Sequence, residues 1–122
     1  MNEALSTLPS DLSQKSISNR EVVLPLADAL HAIDILESAG FHILDWEGWV
    51  KCADGRVWHG SAGKYSSASL HEYTPQESAR VTRRGVTDDA ASWEIENAGT
   101  TDALYFCIAT RPVSTQQVHH RE

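Results

Sequence analysis

The spacing of apolar residues along this chain changes several times, and each change predicts a change of secondary structure. Met1–Asn19 is polar and rich in serine, with leucines only at Leu5, Leu8 and Leu12. With no sustained period, this stretch reads as a loosely ordered arm with room for a short helix near Ser10–Gln14. Glu21–Leu24 is a short β-branched run that suits an edge strand, and Pro25 stops it. Leu26, Leu30, Ile33 and then Leu36 or Ala39 follow at steps of three or four. That spacing predicts a helix over about 26–39, with Pro25 suited to its first turn. Asp28, Asp34 and Glu37 fall off the apolar face. Gly40 supplies the cap, since glycine takes the left-handed conformation without a Cβ penalty.

After Gly40 the residues become aromatic and β-branched, which favours strands. Asp54-Gly55 separates the run Trp46–Cys52 from Arg56–His59, and Asp-Gly between two such runs predicts a hairpin. Alternation places Trp46, Gly48, Val50 and Cys52 on one face, and Glu47, Trp49 and Lys51 on the other. Ser61–His71 is small and polar and reads as a loop. Thr74-Pro75-Gln76-Glu77 has the form of a capping box with proline at the first helical position. It predicts a second helix over about 75–84, ended by Gly85. Ser92–Glu96 and Ala103–Thr110 then read as strands about an Asn97-Ala98-Gly99 turn. Leu104–Ile108 is almost wholly apolar and belongs at the centre of a sheet. Pro112 ends that strand. The expected fold is therefore α+β, a mainly antiparallel sheet with two helices. Residues 20–113 form its one small domain, 1–19 an arm and 114–122 a polar tail.

Composition narrows the function classes. The 122 residues carry 17 acidic and 10 basic side chains, a formal charge of −7. Direct binding of nucleic acid is not expected on that balance, because phosphates require a basic stripe. A basic protein is the natural counterpart. Asp28, Asp34, Glu37, Asp45, Glu47 and Asp54 face only Lys51 among bases in their segment. Asp88, Asp89, Glu94, Glu96 and Asp102 have no base between them. If the helix and the last strands lie side by side, these make one acidic face. Arg80, Arg83 and Arg84 read as a small solvated patch. The N-terminus lacks the basic and apolar regions of a secretory signal, and no apolar run is long enough to span a membrane. A cytoplasmic protein with reduced thiols is expected, although the sequence leaves open whether Cys52 and Cys107 pair.

Catalytic chemistry finds no pattern. The six histidines show no metal-ligand spacing, and the His119-His120 pair lies in the tail. Both cysteines sit in apolar runs, where a thiol is inert. Ser61-Ala62-Gly63-Lys64 lacks the first glycine and the Ser/Thr of a phosphate loop. No catalytic residue, metal or cofactor is expected. The tryptophans of the hairpin are either core or an interface, and Trp and Arg are the usual interface anchors.

The segment Glu37–Gly60, through Trp46-Glu-Gly-Trp49 and Asp54-Gly-Arg56, resembles the helix-to-hairpin part of small bacterial immunity proteins of polymorphic toxin systems. The resemblance covers about a fifth of the chain. It implies a cytosolic, non-enzymatic protein that neutralises a cognate toxin, often a nuclease with a basic active site. The partner-binding residues expected on this reading are Asp34, Glu37, Glu47, Trp49, Asp54, Arg56, Trp58 and His59. The alternatives are a small-molecule or catalytic pocket between helix and sheet, and an oligomerising module that pairs through exposed tryptophans.

Overall fold

The computed structural model describes residues 2–59 and 63–113. In chain order its elements are α1 (Glu3–Thr7), α2 (Ser10–Ser13), β1 (Val22–Leu24), α3 (Leu26–Ser38), β2 (Phe41–Lys51), β3 (Val57–Trp58), α4 (Pro75–Glu96) and β4 (Ala103–Pro112). The four strands form one antiparallel sheet in the order β1-β4-β2-β3. The expected α+β class holds, and Leu104–Ile108 lies in an interior strand as its apolar run requires. No helix among the described residues is long and apolar enough to cross a membrane.

Helices α3 and α4 pack on one face of the sheet. Ala29, Ala32, Ile33 and Leu36 of α3 meet Val22, Leu24, Ile43, Trp46, Phe106 and Ile108 in the main core. The step of three or four that predicted α3 is the face it buries. Gly40 follows the helix with φ +88°, as its capping position demands. A smaller cluster of Val23, Trp49 and Cys107, with Ile17, Val57 and Tyr105 beside it, lies on the other face of the sheet.

Strand β2 carries an irregularity that sets its aromatic residues. Ile43 pairs with Thr110, but Asp45 pairs with Ala109, so one residue is extra near Leu44. A bulge of this kind shifts the alternation by one. Ile43 and Trp46, three residues apart, therefore share the helix-facing side. The backbone of Leu44 and Trp46 is then held by the later loop: Leu70 N–H donates to the Leu44 carbonyl at 2.9 Å, and Ser67 N–H to that of Trp46 at 3.0 Å. The Asp-Gly hairpin forms as expected, although only Val50–Trp58 and Lys51–Val57 pair before it ends. Gly55 takes φ +95° in its turn.

Three expectations are corrected. The arm is not loose, because α1 and α2 dock Ala4, Leu5, Leu8 and Leu12 into the main core. Burial of three leucines offsets the ordering cost that composition suggested would leave the arm free. The second correction is α4, which runs for 22 residues straight through Gly85. Its capping box does form, with Glu77 N–H donating to Thr74 Oγ1 and Thr74 N–H to Glu77 Oε1, each at 3.1 Å. Thirdly, Ser92–Glu96 is the last turn of that helix and not a strand.

Those last two misreadings share a physical cause. The buried face of α4 is made of Ser78, Ala79, Thr82 and Val86, residues too small or polar to show as an apolar stripe. They are small because the sheet supplies the bulk. The six-membered ring of Trp46 lies so close over Gly85 that an added Cβ would overlap it. A helical glycine costs about 1 kcal/mol relative to alanine. Here the close approach of an indole offsets that cost.

Candidate functional site

The four tryptophans have separate environments. Trp46 is 7% exposed, and its indole N–H donates to Asp89 Oδ2 at 2.8 Å. Trp49 is 8% exposed on the other face of the sheet, donates to Glu47 Oε1 at 2.9 Å, and stacks on His59 with ring centroids 4.0 Å apart. Both are core. Trp58 is 56% exposed, with the Arg56 guanidinium 5.7 Å above its ring. Trp93 is half-buried on α4 and meets the edge of Tyr65 at 5.7 Å.

Trp58, Tyr65 and Trp93 come together at the end of the sheet where β2 finishes and β4 begins. A cleft of about 370 Å³ there is lined by Val50, Trp58, Lys64, Tyr65, Trp93, Glu96, Asn97 and Asp102. A second, of about 530 Å³, shares Trp93 and Asp102. It continues between α4, Leu26 and β4 over Ala90, Leu104 and Phe106. Together they make a concave apolar surface with Trp58 at one side and Glu94 and Asp102 on its border. Neither Glu94 nor Asp102 has an ion-pair partner among the described residues.

Tyr65 is the residue that shapes this end. Its φ is +59°, a left-handed conformation that a non-glycine residue holds only when its surroundings impose it. Gly48 permits the crossing, since a Cβ there would stand 2.9 Å from Tyr65 Cβ. On the other side the Tyr65 hydroxyl donates to Glu96 at short range, and Lys64 Nζ reaches the same carboxylate at 3.2 Å. The Tyr65 hydroxyl holds the Glu96 carboxyl below its ordinary range, with Lys64 acting in the same direction. Loop, sheet end and last helical turn are thereby tied in one arrangement.

The eight residues singled out from sequence do not form one surface. Glu47, Trp49 and His59 belong to the helix-free face of the sheet. Asp54 and Arg56 stand at the exposed hairpin tip, joined at 2.9 Å. Trp58 alone of the eight lines the concave end. Asp34 and Glu37 project from α3 to clamp Arg83 of α4, each 3.0 Å from its Nη1. From Arg83 to Trp93 is about 15 Å along the helix axis. The acidic face expected from α3 is therefore partly neutralised by an arginine read as solvated. Tyr65, Trp93 and Asp102 were missed, and only reading α4 through Gly85 would have put Trp93 on a helical face.

Cysteine chemistry is likewise settled by position. Cys52 and Cys107 are both free. Cys107 pairs across the ladder with Glu47. Cys52 is five residues beyond Glu47, just past the end of β2, or about 17 Å along the strand direction. A disulfide cannot bridge that distance. Burial pushes the Cys107 thiol far above its ordinary range, and the carboxylates of Glu21 and Glu47 add to the shift. In a thiol-reagent assay on native protein, half-exposed Cys52 is expected to react while Cys107 reacts only on unfolding. Rapid labelling of Cys107 in the native state would contradict its placement.

Asp89 supports a second expectation. Burial raises its carboxyl pKa above the ordinary range, the Trp46 hydrogen bond opposes this, and the neighbouring Asp88 charge adds to it. The folded state thus holds the proton more firmly than the unfolded state. Its contribution is fully present below about pH 4 and is lost as pH rises through the raised value. Asp89→Asn keeps an oxygen to accept the Trp46 N–H and removes the charge. Its melting temperature is expected to gain on that of the parent as pH rises toward about 7. A gap that shrinks with rising pH would show the reverse linkage.

No family model, curated protein or solved structure matches the chain. The functional reading rests on the chemistry of its surface.

Proposed function

We propose that the protein is a non-enzymatic inhibitor of the immunity type, acting in the cytoplasm by binding a basic protein, a cognate toxin. The contact surface on this reading is the concave end formed by Trp58, Tyr65 and Trp93 and bordered by Glu94 and Asp102, which make no ion pair among the described residues, with Glu96 paired to Lys64. The observation that carries it is the 56% exposure of Trp58 beside two adjoining clefts that share Trp93 and Asp102. Exposed aromatic side chains next to a concavity are where hot spots concentrate. Tyr65, held in a strained conformation beneath that surface, gives it a fixed shape, which lowers the ordering cost of binding. The acidic border and the formal charge of −7 favour a basic partner and speed its approach. A nuclease, whose substrate groove is basic, is the kind of toxin this surface suits.

A co-expression experiment tests the reading. The candidate toxin to use is a basic domain encoded in a reading frame adjacent to that of this protein. Cells producing it are expected to survive with the parent inhibitor and to be killed with Asp102→Lys or Trp58→Ala at equal inhibitor abundance. Equal protection by both variants would exclude this surface. A salt-insensitive homodimer formed through Trp58 would favour the oligomerising alternative.

A further inference from the structure

The far end of the sheet, where β2 begins and β4 ends, carries different chemistry. A cleft of about 460 Å³ opens there, lined by His42, His71, Tyr73 and Arg111 with Pro75 and Pro112 as walls. Its volume lies in the range of small-molecule sites, about 300–1,000 Å³. No aspartate or glutamate lines it, in a chain whose formal charge is −7.

His42 is 6% exposed, and its Nε2 is buried without a hydrogen-bond partner. A buried polar atom in that state costs stability unless something occupies it. His42 also faces Arg111 directly across the β2–β4 ladder. An anion seated between them would accept from the Arg111 guanidinium, with the imidazole of His42 alongside. Arg111 is exposed and makes no ion pair among the described residues. The start of α4 is close, at Pro75, but the Thr74–Glu77 capping box already engages its terminus. The donors for an anion are therefore side chains.

We propose that this cleft is a binding site for a small oxyanion, of phosphate or carboxylate type, held by Arg111 with His42, His71 and Tyr73. The planar guanidinium matches two oxygens of such a group, and Tyr73 and the imidazoles supply further donors. The site stands at the opposite end of the 11-residue β2 from the aromatic concavity. It does not depend on the inhibitor reading.

The test is an amide NMR titration of the full chain in low-salt buffer, with inorganic phosphate and, separately, with citrate. Saturable shifts at residues 42, 71, 73 and 111 are expected. Phosphate binding the more tightly assigns a phosphate group, and citrate a carboxylate. Arg111→Ala is expected to weaken binding about tenfold or more, since a charge-assisted contact is lost. His71→Ala, also at an exposed position, is expected to weaken it as well. Arg80→Ala, an exposed arginine of α4 away from the cleft, should leave it unchanged. Shifts that never saturate with either ion, or binding that survives Arg111→Ala undiminished, would overturn the proposal.

Discussion

Gly85→Ala is expected to destabilise the domain by about 1–3 kcal/mol, the usual cost of forcing an extra carbon into a filled core. On an exposed helix the same change stabilises by about 1 kcal/mol, because alanine is the better helix former. The sign reverses because the Trp46 ring occupies the space the methyl would need. The indole cannot easily yield. Its N–H is fixed on Asp89, four residues further along α4, and the neighbouring Ile43 is fully buried. Denaturant titration of the single variant, of Trp46→Leu, and of the pair separates the causes. With the smaller leucine at position 46, Gly85→Ala should be neutral or stabilising, so the two changes are strongly non-additive. A destabilisation by Gly85→Ala that persists unchanged beside Leu at position 46 would show that another contact is responsible.

Trp58→Ala is expected to separate binding from stability. The side chain is more than half exposed and β3 contributes only two paired residues, so folding stability should change by less than about 0.5 kcal/mol. Affinity for the proposed basic partner should fall by about 2 kcal/mol or more, roughly thirtyfold, as for an exposed aromatic anchor. Asp102→Lys should act differently. A charge on the border mainly alters the association rate, and its effect should fade as salt rises, whereas the effect of Trp58 should persist. Calorimetry gives the first quantity and stopped-flow mixing the second. Were Trp58→Ala to lower stability and leave affinity intact, the tryptophan would be a hairpin support and not an anchor.

How far the sequence disclosed this arrangement depended on whether neighbours in the chain or neighbours in space decide it. Helix α3, the Asp54-Gly55 turn and the Thr74–Glu77 capping box are set by adjacent residues, and each was legible. Helix α4 was legible only to Gly85. Its buried face is built to receive Trp46, 39 positions earlier, and small residues that make room for a partner look like a break when read alone. The leucines at positions 5, 8 and 12 had a helical step, but Pro9 divides them between two short helices. The candidate site divided in the same way. Trp58 could be named from the hairpin, while Tyr65, Trp93 and Asp102 joined it only through tertiary contact. Asp34 and Glu37 looked like free charge until Arg83, 49 and 46 residues away, was found between them.

The central claim, that the aromatic end and not the helix-free face of the sheet meets a partner, can be read from the four tryptophan side chains themselves. Their indole N–H resonances report on four different places in the fold. The measurement is a ¹H–¹⁵N spectrum of the protein alone and in complex with the proposed basic partner. Trp58 and Trp93 are expected to shift on binding. Trp46 and Trp49, whose N–H groups are held by Asp89 and Glu47, are expected to stay in place. A complex in which Trp49 moves while Trp58 and Trp93 do not would contradict the account.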